Sequence, residues 1–218
     1  MSTIRISRTH FPVTALGPGP RFGVWMQGCP LACAGCMSLD TWDADAGTEL
    51  AVADLLDRWV DALARGAEGI TVSGGEPLAQ PGPLRAFLAA VDRTRSGLRP
   101  APDILLYTGY ELTELDSAQR AAAALADVLV TGRFLAGQPT RLVWRGSANQ
   151  RMVLQTDLGR RRYAASVDLT PERAPLQVES DQAGVWIVGT PRRGTLSRLE
   201  RGLRHRGLDP DAVTWRPE

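Results

Sequence analysis

The sequence contains no lysine; all 25 of its basic residues are arginine. Without a side-chain amine it cannot form a Schiff base, anchor pyridoxal phosphate or supply the lysine of a Walker-type phosphate loop. Histidine is almost as scarce, with only His10 and His205, which leaves few nitrogen donors for a metal. No stretch approaches the roughly 18 apolar residues of a membrane helix. Residues 1–12 have no apolar core of the kind a secretory signal carries. An excess of one charge is also missing, because 25 arginines against 24 acidic residues leave +1. That balance argues against a partner held by bulk charge, whether nucleic acid or membrane surface. Cysteine is limited to three residues, an odd number that cannot close into intramolecular disulfides alone. A reduced cytoplasmic protein is the expectation.

What is present is enough to fold. At 218 residues, with 44% hydrophobic and 22% charged, the chain can bury a core as one domain, or as one domain with a small appendage. Residues 3–16 alternate loosely and read as a strand or hairpin, and Phe22 to Met26 as a short apolar strand. Thr48 to Ala64 carries apolar residues at helical spacing, with Gly66 as a stop. Strands are then expected at Gly69 to Val72, Ile104 to Tyr107 and Asp127 to Val130, with helices at Pro83 to Val91 and Glu111 to Ala126.

Strand, loop and helix thus alternate about four times, which implies βαβ units around a parallel sheet or barrel. Ligands in such folds bind at the C-terminal ends of the strands. Each of the four strands there runs into a glycine-bearing loop: Gly28-Cys29, Ser73-Gly74-Gly75, Thr108-Gly109 and Thr131-Gly132. After Gln150 the texture changes. Arg160 to Arg162 and Pro171 to Pro175 read as loop and linker, followed by a strand pair at Leu176 to Val178 and Val185 to Val188 and a closing helix around Leu196, Leu199 and Leu203. The division expected is a core over residues 1–155 and a small ββα extension over 156–218. That extension could close the barrel, bind a dedicated partner or cap the site; capping is the expectation.

All three cysteines fall within eight residues, Cys29-Pro-Leu-Ala-Cys33-Ala-Gly-Cys36. A closed zinc site needs four ligands, and a redox pair of Cys33 and Cys36 would leave Cys29 unexplained. A four-iron cluster needs one external ligand per iron. Three thiolates on one loop then leave the fourth iron open to a substrate or cofactor. His10 and His205 read as solvent-facing or partner contacts rather than ligands, and Trp186 and Trp215 as packing residues.

The cysteine spacing, followed by Thr71-Val-Ser-Gly-Gly-Glu-Pro77, Tyr107-Thr-Gly-Tyr110, Asp127-Val-Leu-Val-Thr-Gly-Arg-Phe134 and Arg145-Gly-Ser-Ala-Asn-Gln-Arg151, resembles the radical S-adenosylmethionine (SAM) superfamily. More closely, it is similar to the activating proteins of anaerobic ribonucleotide reductase and their glycyl-radical-activating relatives. The resemblance implies a partial, open TIM-like βα barrel. It implies a [4Fe-4S] cluster on Cys29, Cys33 and Cys36, with SAM on the open iron. It also implies that Ser73, Gly74, Gly75 and Glu76 meet the amino-acid end of SAM, that Gly35, Cys36 and Met37 lie against its adenine, and that Thr108 and Gly109 line the same pocket. The chemistry implied is one-electron cleavage of SAM to methionine and a 5′-deoxyadenosyl radical. That radical removes hydrogen from a backbone glycine of a partner, with a reduced flavodoxin- or ferredoxin-like donor. Met37-Ser-Leu-Asp40 departs from the aromatic-Asn start common after the third cysteine, and Glu76 stands where close relatives often carry Asp. Competing readings are a radical SAM enzyme acting on a small molecule or peptide, and a non-catalytic iron–sulfur sensor.

Overall fold

The computed structural model describes residues 2–181, 184–207 and 213–214; Trp215 lies outside the described residues. The architecture is α/β, built on a mixed seven-stranded sheet. Its strands are β1 (Thr3–Val13), β2 (Arg21–Met26), β3 (Thr48–Ala51), β4 (Gly69–Gly74), β5 (Asp103–Tyr107), β6 (Val128–Thr131) and β7 (Arg151–Leu154), in the spatial order β3-β1-β2-β4-β5-β6-β7. The four central strands, β2, β4, β5 and β6, are parallel to their neighbours among themselves. Antiparallel strands β1 and β3 extend one side, and antiparallel β7 the other.

The central strands are apolar along their length because both faces are covered. Ile104, Leu106 and Leu129 point into the larger core, which they share with Leu55, Trp59, Leu84, Phe87 and Leu88 of helices α1 (Val52–Ala64) and α2 (Pro81–Arg95). Leu105, Val128 and Val130 point the other way, onto Val143, Trp144, Met152 and Tyr163. This two-residue alternation divides the strand side chains between the two sides of the sheet. Trp59 is fully buried, and its indole N–H is satisfied by Thr94 Oγ1 at 2.8 Å.

Several elements differ from the sequence reading. Thr48 to Ala51 belong to β3 rather than to the helix, because their backbone completes a ladder with Thr3 to Ile6. The helix expected over Glu111 to Ala126 shrinks to α3 (Ser117–Ala123). Asp116 starts it with a reciprocal capping box to Gln119. The arginine run 160–162, read as loop, lies in α4 (Asp157–Tyr163), which the Thr156 hydroxyl caps. The ββα element at the end is present as β8 (Leu176–Asp181), β9 (Gly184–Gly189) and α5 (Thr195–His205).

The N-terminal ends of the parallel strands are tied by a buried ion pair. Arg21 and Asp103 are both fully buried and make two contacts, of 2.7 and 3.0 Å. Thr71, the Ile70 carbonyl and the Tyr163 hydroxyl join the network, and Arg162 makes a second ion pair with Asp103 at 2.7 Å. The extension packs on the core through Val188 against Val13, Ala15 and Leu16, and through Trp186 edge-on to Trp25 and His10. Trp186 is thus a packing residue, as expected. No described helix is long and apolar enough to cross a membrane.

Candidate functional site

The loops at the C-terminal ends of β2, β4, β5 and β6 converge. Glu76 N–H donates to Gly28 O at 2.9 Å, and Gly75 N–H to Met26 O at 2.8 Å, which holds the loop after β4 against the cysteine loop. A Cβ on Gly75 would stand 2.4 Å from Gly28 O, so only glycine permits this approach. At Gly109 a Cβ would stand 2.4 Å from Leu31 Cδ1, again inside the cysteine loop. Glycine in these loops therefore reflects close packing of loop on loop.

Glu76 joins two of the loops. Its carboxylate is 1% exposed, and it accepts from Leu78 N at 2.8 Å and the Thr108 hydroxyl at 2.9 Å through Oε1, and from Gly109 N at 2.7 Å through Oε2. Burial pushes its pKa up, opposed by those three donors and by Arg133. The side chain therefore braces the site with both oxygens already engaged.

The cysteine loop runs from β2 through a 3₁₀ turn at Leu39–Thr41. Gln27 holds its two ends together, donating from Nε2 to Asp40 O at 2.9 Å and Asp43 O at 2.8 Å. Thr214, far along the chain, also reaches the loop. Its hydroxyl donates to Met37 O at 2.7 Å and its carbonyl accepts from Leu39 N at 3.0 Å. All three thiols are free and partly exposed. Burial raises the Cys29 and Cys33 thiols, while backbone N–H groups pull the other way: Leu31 and Ala32 on Cys29, and Phe134 on Cys33. Ser38 N–H faces Cys36 Sγ at 3.4 Å. Ala32 takes a left-handed backbone, φ 44, within this loop, at a cost of roughly 1 kcal/mol. Backbone donors aimed at every sulfur are the arrangement that stabilises thiolates around an iron–sulfur cluster. The residues present fit that group.

Beside this loop lies a cavity of about 490 Å³. Gly35, Cys36, Met37 and Ser73 line it, together with Trp25, Tyr107 and Phe134 of the core. Gly74, Gly75, Glu76, Thr108 and Gly109 do not line it; they form the hydrogen-bonded layer behind. The segment Ile187 to Ser197 of the C-terminal ββα element supplies a wall. Sequence reasoning missed Tyr107 and Phe134 as wall residues, although both fall in motif stretches. Tyr107 is held by donating to Trp144 O at 2.9 Å.

Three thiols with backbone donors, set at the carboxyl ends of parallel strands beside a cavity, fit an iron–sulfur cofactor on an α/β sheet. Comparison with known proteins agrees. The family profile described as a 4Fe-4S single cluster domain matches residues 15–153. The anaerobic ribonucleoside-triphosphate reductase-activating protein of Vibrio cholerae is 37% identical over 150 residues, spanning 65% of this chain and 92% of its own. That of Escherichia coli K12 is 36% identical over 145 residues, spanning 65% and 93%. Among solved structures, QueE from Escherichia coli aligns over 59% of this chain and 71% of its own at 17% identity, with a TM-score of 0.39.

The chain belongs to the 4Fe-4S single cluster domain family and, within it, to the family of anaerobic ribonucleoside-triphosphate reductase-activating proteins. It is a radical SAM enzyme whose cofactors are a [4Fe-4S] cluster and SAM.

Proposed function

We propose that this enzyme generates a glycyl radical on an anaerobic ribonucleotide reductase. Cys29, Cys33 and Cys36 hold the cluster, and SAM occupies the cavity beside them. When bound, the cluster and SAM supply a one-electron cleavage that releases methionine and a 5′-deoxyadenosyl radical. The chain's own residues position and shield. Gly35, Cys36 and Met37 offer main-chain groups to the adenine, and Ser73 meets the amino-acid end, with Gly74 in the layer behind it. Glu76, Thr108 and Gly109 fix the loops from behind. Tyr107, Phe134 and the extension keep water from the reacting carbon. The seven-stranded sheet is read as a partial, open TIM-like barrel with its mouth at this cavity. Residues 1–155 form the radical SAM core, and 156–218 an extension over it. A reduced flavodoxin- or ferredoxin-like protein supplies the electron, and the setting is cytoplasmic.

The observation that carries this reading is the joint placement of Cys36 and Ser73 on one cavity. Iron-loaded protein incubated anaerobically with SAM and a reductant should release 5′-deoxyadenosine. Adding a candidate reductase should produce a glycyl radical by electron paramagnetic resonance. Absence of 5′-deoxyadenosine defeats the reading. A second reading, a small-molecule or peptide target, is favoured by the wall that β9 and the following turn add to the cavity. It predicts SAM cleavage without a glycyl radical on any encoded reductase.

A further inference from the structure

The cavity is lined by four arginines, Arg141, Arg145, Arg192 and Arg193, and by no aspartate or glutamate. Arg141 and Arg193 are exposed and so stand at its mouth. Arg145 is only 7% exposed. It donates from Nη2 to Val167 O, and its Nε is buried without a partner. Arg192, in the turn between β9 and α5, donates to the Glu172 and Pro171 carbonyls. Among the described residues, no carboxylate forms an ion pair with any of the four. Asp168 acts on Arg145 only at longer range, and burial lowers the Arg145 pKa. A guanidinium so buried, with no counter-charge in contact, is costly until an anion arrives.

The cofactors do not account for this positive charge. Three thiolates around a four-iron centre carry a small net negative charge. SAM brings a sulfonium and an ammonium against a single carboxylate. The two nearly cancel, and that one carboxylate needs only one arginine. Arg192 and Arg193 also lie beyond residue 153, where the family match ends.

We infer that the cavity recognises a target bearing an anionic group, a carboxylate or phosphate, held by Arg145 together with Arg192 and Arg193 of the C-terminal extension. This rests on the radical SAM reading of the same cavity and names the chemistry of what enters it. Arg141 and Arg193 draw the anion to the mouth, and Arg145 offers the desolvated contact inside.

The test is calorimetric titration of the full-length, iron-loaded protein with three probes: a glycine peptide flanked by glutamates, the same peptide with glutamines, and inorganic phosphate. SAM is titrated in parallel. The glutamate peptide or phosphate should bind, with affinity falling as salt rises. Arg193→Glu, at an exposed position, should weaken that binding roughly tenfold, whereas Arg161→Ala on the exposed surface of α4 should not change it. Binding of the glutamate peptide assigns the anion to a polypeptide target, and binding of phosphate alone assigns it to a small molecule; either supports the inference. Equal binding of the two peptides without phosphate binding overturns it. So does a loss in Arg193→Glu that is confined to SAM. If wild-type protein cleaves SAM yet shows no anion preference, the inference fails alone; if it releases no 5′-deoxyadenosine, the radical SAM reading fails with it.

Discussion

Gly109 donates its backbone N–H to Glu76 Oε2 across 2.7 Å, so a buried carboxylate clasps the loop after β5 to the loop after β4. Three donors converge on that one carboxylate. Removing it leaves three polar groups to find other partners around a side chain that is 1% exposed.

Glu76→Ala should therefore destabilise the protein by about 3 kcal/mol or more, since each orphaned donor costs about 1–3 kcal/mol. Glu76→Gln keeps one acceptor oxygen and should cost less, about 1–2 kcal/mol. Denaturant unfolding of both variants checks the order. If Ala and Gln are equally harmless, the bracing role is wrong.

Replacing Cys29, Cys33 or Cys36 singly by serine should abolish the iron–sulfur absorbance and SAM cleavage. Stability of the iron-free protein should change by only about 0.5 kcal/mol, because the thiols are partly exposed. Iron content and thermal melting, measured on the same samples, test both halves. Retention of a full cluster by any one variant would remove that cysteine from the ligand set.

Gly75→Ala places a methyl 2.4 Å from Gly28 O, and the two loops must separate. A loss of about 1–3 kcal/mol is expected, together with weaker SAM binding by equilibrium dialysis. Gly82→Ala, where no atom lies within 4 Å of the new methyl, is the control.

At the other end of the strands, Arg21→Ala leaves the buried Asp103 with only Arg162, at 2.7 Å, and the Tyr163 hydroxyl as partners. It also takes a donor from the Thr71 hydroxyl and the Ile70 carbonyl that Arg21 meets; the cost should be about 3–5 kcal/mol. For a chain of this size that is a fall in Tm of about 6–20 °C. Loss of SAM cleavage beyond what unfolding explains would contradict the separation of this ion pair from the cavity.

The cysteine loop and the parallel strands could be read from the sequence because each is constrained locally. Ligand spacing must match a cluster, and a strand covered on both faces must be apolar throughout, as at Ile104 to Leu106. Strands β3 and β7 escaped notice because each has four residues and owes its existence to the neighbour it pairs with. The arginines of α4 look like a solvated loop, and what docks that segment as a helix lies far off in sequence: Asp103, which meets both Tyr163 and Arg162, and Glu68, which pairs with Arg162. A capping element could be expected from the sequence, but its placing of Arg192 and Arg193 on the cavity could not, since that depends on Val188 docking beside Val13 and Leu16.

The contact of Thr214 with Met37 and Leu39 spans 177 positions of sequence in one of its two hydrogen bonds. It makes the cysteine loop and the far end of the described chain reporters on each other. On the proposed ligand set Met37 directly follows Cys36, so a probe attached at residue 214 should respond to iron loading, at a distance in sequence where none of those ligands lies.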